Sequence, residues 1–267
     1  MIKEDEKMTE EDSQEEKFDV RHTFLIGLAF FTTEIAWNVY DSQVNISLLA
    51  YLGTVALVGL IMGLDNLIGV IIQPIMGNVS DNTRTRIGRR MPYIIIGVPL
   101  AAVFFTLIAF EWNLASLLIF MFCFMISMAF FRSQTVALMP DFVKPQNRSK
   151  ANSIINMMGS ISVIGAALIS LLIVDVSLQW AFITVSIIML VSLIVLVLTV
   201  KEKEAYTWQR ILELEKKQEG KVTAEKERIS LLDSFRDVLE EEDKSTLFML
   251  LAIFFLSVGW YALRALV

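Results

Sequence analysis

Apolar runs of about twenty residues recur down this chain, and no other feature limits its fold so tightly. A helix needs roughly 17–25 residues to cross a hydrocarbon core about 30 Å thick. Runs of that length lie at residues 22–43, 48–76, 91–110, 114–138, 151–174, 178–200 and 245–267. Within lipid every backbone N–H and C=O has to be paired inside the segment or its neighbours, so these runs are read as helices. Composition agrees, with 55% of the 267 residues hydrophobic, where a soluble domain holds about 45–50%. The expected fold class is all-α integral membrane, and the hydropathy excludes a soluble enzyme.

The connections set the expected topology. Between the second and third runs stand Arg84, Arg86, Arg89 and Arg90, four arginines in seven residues. The link from the fourth run to the fifth carries Lys144, Arg148 and Lys150, whereas the links at 44–47, 111–113 and 175–177 hold no Lys or Arg. Short basic loops stay in the cytoplasm. Six helices over 22–200 with both ends inside are therefore expected, in the plasma membrane. The net charge of −6 is localised, because residues 1–20 hold nine acids against three bases. Residues 1–21 read as an acidic, disordered cytoplasmic tail; an acidic leading region is not that of a secretory signal peptide. Residues 201–244 mix thirteen acids with ten bases and read as a cytoplasmic linker. Within them Leu231, Leu232, Phe235, Val238 and Leu239 repeat at helical spacing, so 229–241 is expected to form an amphipathic helix on the inner surface. The run at 245–267 is expected to be a seventh membrane helix, complete or cut short.

Charges inside the apolar runs are few and expensive, about 2.5–3.5 kcal/mol each at a helix centre, and are functional candidates by default. Glu34, Trp37, Asn38 and Asp41 fall at i, i+3, i+4 and i+7, giving the first helix one polar, aromatic face. That face suits a sugar, whose ring would stack on Trp37 while its hydroxyls bond to carboxylate and amide. Asp65 and Asn66 are expected mid-way along the second helix, with Gly69 and Gln73 following on the same face. Arg132, about two turns from the cytoplasmic end of the fourth helix, needs a partner, and Glu34 and Asp65 are the carboxylates at comparable depth. An acid paired with arginine is held ionised, and diverting the arginine raises its pKa. The proposed coupling pair is therefore Glu34 with Arg132, Asp65 being the alternative acid, with Trp37, Asn38 and Gln73 along the sugar path.

Other signals are weaker. Ser153, Gly159, Ser160, Ser162, Gly165 and Ala166 on the fifth helix read as a close-packing surface, with Asn152 and Asn156 as cap or binding contact. Arg264 reads as snorkelling to headgroups. Cys123 is the single cysteine and His22 the single histidine, so neither a disulfide framework nor a metal site is expected. No phosphate-binding loop of the G-x-x-x-x-G-K-[ST] type occurs, which leaves an ATP-driven pump without support.

The run Gly77-x-x-x-Asp81-x-x-x-x-Arg86-x-Gly88-Arg89-Arg90 resembles the loop between helices 2 and 3 of the major facilitator superfamily. With Gln73-Pro74 before it and Pro92-Tyr93 after it, the stretch is similar to the sucrose-type proton symporter branch and its bacterial members. A second block, Arg132-Ser-Gln-Thr-Val-Ala137-Leu-Met-Pro140-Asp141 followed by Pro145 and by Arg148 through Gly159, resembles the same branch. Glu34-x-x-Trp37 is similar to its Glu-or-Gln followed three residues later by an aromatic.

The resemblance implies two six-helix halves built from inverted repeats, with the substrate site between them. This chain would then be the N-terminal half plus the start of helix 7, with a C-terminal six-helix half still to be supplied. Gly77, Asp81, Arg86, Gly88, Arg89 and Arg90 are implied to form a conformational latch rather than a substrate contact. The implied activity is uptake of a disaccharide or glycoside, such as sucrose or maltose, with protons. The melibiose-type sodium symporters carry helix 2 carboxylates at positions corresponding to Gly69 and Gln73, and their absence here favours protons over sodium. No cofactor beyond the coupling ion is expected, and no nucleic-acid partner. Two other readings stand beside symport: a non-transporting fragment or sugar sensor, and proton-antiport efflux of small molecules.

Overall fold

The computed structural model describes residues 18–174 and 176–218, together with 244, 245, 248, 249 and 252. Its helices are α1 (Val20–Leu52), α2 (Val55–Met62), α3 (Leu64–Asp81), α4 (Met91–Ile108), α5 (Leu114–Phe142), α6 (Arg148–Ile169), α7 (Leu178–Thr199) and α8 (Tyr206–Gln218). No strand occurs among the described residues, and the fold is all-α. The amphipathic helix expected over 229–241 lies outside the described residues, as does nearly all of the run at 245–267.

Five helical segments are long and apolar enough to cross a membrane: Val55–Asp81, Met91–Ile108, Leu114–Phe142, Pro145–Val174 and Leu178–Thr199. The chain is a multi-pass membrane protein. The sixth expected span, α1, is 33 residues long, about 50 Å at 1.5 Å per residue. Its mean hydropathy is diluted by Arg21, Glu34, Asn38, Asp41, Gln43 and Asn45.

Two boundaries differ from the sequence reading, both for backbone reasons. The link expected at 44–47 is helical instead: it holds neither Gly nor Pro, and α1 runs through it to Leu52. The helix ends instead at Gly53, in the left-handed conformation (φ 68°) that glycine adopts without steric cost, its N–H donating to the Leu49 carbonyl at 2.9 Å. The second span begins at Val55 and is broken at Gly63 into α2 and α3. Asp65 sits just past that break, in the first turn of α3 and in the interior of the span Val55–Asp81.

The polar, aromatic α1 is the centre of the bundle, packed against α5, α6 and α7. The second group is α4 against α5 and α7, with α3 lying on α5. Lipid tails are as apolar as leucine, so association here rests on close packing and interhelical hydrogen bonds. Tyr40, Phe105, Phe124, Phe131 and Phe182 are fully buried, and Phe105 stacks on Phe182 at 4.5 Å and meets Phe124 at 5.3 Å. Thr106 shares a 2.7 Å hydrogen bond with Ser186, and Gln134 of α5 donates to the Met76 carbonyl of α3 at 2.9 Å. Of the small residues of α6, Gly159 lies under Phe30 and Gly165 under Ile35, both on α1, and Ser162 and Ala166 are buried, whereas Ser153 and Ser160 are exposed. Asn152 and Asn156 are exposed. The span formed by α2 and α3 is the least covered of the five, followed by α6.

Candidate functional site

The break between α2 and α3 opens a cavity of about 770 Å³ against α1 and α5. Glu34, Trp37, Asn38, Asp65 and Arg132 all line it, as do Asp41, Ser42, Asn45 and Asn66. Five of the six expected substrate and coupling residues thus meet in one place. Gln73 does not; it stands outside the cavity with its amide folded against Gly69.

Arg132 and Glu34 pair across α5 and α1, Nη2 to Oε1 at 3.7 Å, with 34% and 25% of their side chains exposed. That separation is near the outer limit of an ion pair. It leaves both groups reachable from the cavity. The Arg132 guanidinium also sits 5.6 Å from the centre of the Trp37 ring, within range of an attractive cation–π contact. Trp37 is 9% exposed and braced edge-on by Tyr40 at 5.3 Å and Phe124 at 5.6 Å. The ring of Trp37, expected to stack on a sugar, lines the cavity with the arginine beside it. The indole N–H has no hydrogen-bond partner. Asn38 donates to the Glu34 carbonyl at 2.7 Å. Among the described residues no group of three His, Cys, Asp or Glu side chains is placed to hold a metal ion.

The second constellation is the arginine loop. Arg90 reaches Asp81 at 2.7 Å and Asp141 at 3.0 Å, while Arg89 reaches Asp141 at 2.5 Å and Asp81 at 3.6 Å. Arg89, Arg90 and Asp141 are buried, so two arginines and two aspartates neutralise one another where either pair alone would leave a charge stranded. The network joins the end of α3, the start of α4 and the end of α5. Gly77 and Arg86, also expected in the latch, stay out of it: a Cβ at Gly77 would meet nothing within 4 Å, and Arg86 is exposed.

Two members of this cluster had no assigned role in the sequence reading. Asp141 was only part of a quoted motif, and Glu202 went unnoticed in the charge run KEKE. Glu202 is 1% exposed and accepts from the backbone N–H groups of Arg89, Arg90 and Met91, each at 2.9 Å. It thereby satisfies the opening N–H groups of α4, which have no partner inside the helix. Just beyond it, α8 closes over the loop. Thr207 donates to the Asp141 carbonyl at 3.1 Å and accepts from Arg89 at 3.2 Å. Arg84 lies 5.7 Å over the buried Trp208 ring.

Burial raises the Glu202 carboxyl above its ordinary value of 4.5, the three N–H bonds opposing this in part. A carboxyl whose folded pKa is raised stabilises the fold fully below 4.5, and this contribution fades as pH climbs through the raised value. In Glu202→Gln the side chain stays neutral throughout. Thermal unfolding in detergent at a series of pH values should then lose the decline that begins above pH 4.5. An unaltered profile would mean that Glu202 does not titrate differently on folding.

The Major Facilitator Superfamily description matches residues 25–267. A 49-residue stretch is 51% identical to a lactose permease of Lactobacillus helveticus, spanning 17% of this chain and 8% of that protein. The described helical membrane bundle and the arginine loop tied into its helix ends fall almost wholly within that matched range. The chain belongs to the Major Facilitator Superfamily.

Proposed function

We propose that the chain works in secondary active transport, taking up a disaccharide or related glycoside together with protons by alternating access. The observation that carries this reading is the Glu34–Arg132 pair, loosely closed at 3.7 Å on the wall of a cavity between membrane spans. An arginine beside a carboxylate holds it ionised; drawing the arginine away favours the protonated form. A sugar hydroxyl that accepts from Arg132 would release Glu34 to take a proton, so substrate and proton enter together. Asp65 on the opposite wall is the alternative acid. Trp37 holds Arg132 in reach of both.

The local similarity to a lactose permease supports a sugar substrate. The arginine network, with Asp81, Asp141 and Glu202, would fasten the cytoplasmic ends of α3, α4 and α5 while the cavity opens outward, and part when it opens inward. In this reading the N-terminus and the basic loops face the cytoplasm, the host is the plasma membrane, and a second six-helix half completes the site.

Labelled lactose in energised vesicles tests the proposal. Accumulation should collapse when a protonophore removes the proton gradient, and should persist when sodium is replaced by choline. Accumulation that survives the protonophore but requires sodium would overturn proton coupling.

A further inference from the structure

Arg86 and Ile87 form the tip of the arginine loop, and the network around Asp81 and Asp141 uses neither. The other polar side chains of the loop bond inward. Thr83 shares a 2.6 Å hydrogen bond with Tyr93, and Arg84 donates to the Asp81 carbonyl at 2.7 Å. Arg89 and Arg90 are held by Asp81 and Asp141. Arg86 is exposed and takes no hydrogen bond or ion pair among the described residues. Ile87 beside it is 51% exposed.

A rigid frame holds this pair out. Thr85 and Gly88 bridge across the turn, the Gly88 N–H donating to the Thr85 carbonyl at 3.3 Å and the Thr85 hydroxyl to the Gly88 carbonyl. Directly after it, Glu202 pins the backbone of Arg89, Arg90 and Met91. The helices on either side set the depth of the tip. Ile71, Ile75 and Val79 on α3 and Ile96, Leu100 and Val103 on α4 are exposed apolar stripes, the faces that membrane spans turn to lipid. Only residues 82–90 separate α3 from α4, so a loop folded back in a turn keeps to the boundary between acyl chains and headgroups.

At that boundary an isoleucine reaches acyl chains, and an arginine without a protein partner meets phosphate, which its planar guanidinium binds through two parallel N–H bonds. Lys203, exposed one residue past Glu202, adds positive charge at the same end. A headgroup with no cation of its own is the better match. We infer that Arg86 and Ile87 form a docking point for an anionic phospholipid, Arg86 taking the headgroup phosphate and Ile87 lying against the acyl chains. This contact lies outside the sugar cavity and stands apart from the transport reading.

Thermal unfolding of the full chain in neutral detergent micelles tests it, with phosphatidylglycerol, phosphatidylcholine or free glycerol phosphate added. A ligand that binds the folded chain raises its midpoint, and phosphatidylglycerol should do so at concentrations where the other two do not. A basic side chain at an anionic surface is worth about fivefold in binding, so Arg86→Gln should need about five times more phosphatidylglycerol for the same rise. Ile87→Ser should weaken the response too, while Lys150→Gln, an exposed cation on the other basic link, keeps it. No rise with phosphatidylglycerol, an equal rise with phosphatidylcholine or glycerol phosphate, or a response unchanged in Arg86→Gln would overturn the docking point. An equal loss in Lys150→Gln would overturn it as well, since diffuse surface charge would then account for the effect.

Discussion

Replacing Arg132 by alanine is expected to lower gradient-driven sugar accumulation by on the order of 100-fold. A charge-assisted hydrogen bond from Arg132 to the sugar contributes about 1.5–3 kcal/mol, and every 1.4 kcal/mol is a factor of ten. Glu34 would lose the cation 3.7 Å away, the partner whose diversion by the sugar is proposed to couple the two movements. Arg132→Lys should fall between, because an ammonium keeps the charge but lacks the planar face that lies over Trp37. The measurement is initial rate and plateau of labelled lactose uptake, normalised to protein in the membrane. A plateau equal to that of the unaltered chain would take Arg132 out of the mechanism.

Gly88→Ala is expected to destabilise the bundle by about 3 kcal/mol. Gly88 has φ 121°, a conformation that costs a side-chain-bearing residue about 1–3 kcal/mol. A Cβ there would also overlap the Glu202 carboxylate. Glu202 would be pushed off the three N–H groups it pairs, each unsatisfied buried donor costing about 1–3 kcal/mol, offset in part as the loop relaxes. The effect should appear as a lowered midpoint of thermal unfolding in detergent. Because both changes break the same contact, Gly88→Ala combined with Glu202→Ala should cost clearly less than the sum of the two single changes. Additive losses, or a Gly88→Ala midpoint matching the unaltered chain, would contradict the capping role assigned to Glu202.

The membrane spans and the arginine loop were legible in the sequence because both are local: an uninterrupted apolar run and a dense cluster of one charge need no partner to be recognised. Helix ends were less so. The apolar runs part at 44–47, yet a gap between two runs does not stop a helix; the conformation of Gly53 does. Asp141 and Glu202 were missed because their partners lie some fifty and over one hundred residues away in sequence, and no spacing rule spans that distance. The contact of Trp37 with Arg132 was not legible, since a sequence cannot say which neighbour lies beside a ring. In α8 the apolar signal is confined to a few residues such as Trp208 amid charges, and its contact with Arg84 only appears once the loop and the linker are folded together.

Movement of sugar and proton together through the Glu34–Arg132 cavity is read out by external pH. De-energised, lightly buffered cells expressing the chain receive a disaccharide while the medium is monitored. Prompt alkalinisation is expected, absent in Arg132→Ala and abolished by a protonophore. Acidification on adding substrate would mean antiport and contradict it, as would sugar entry with no movement of protons at all.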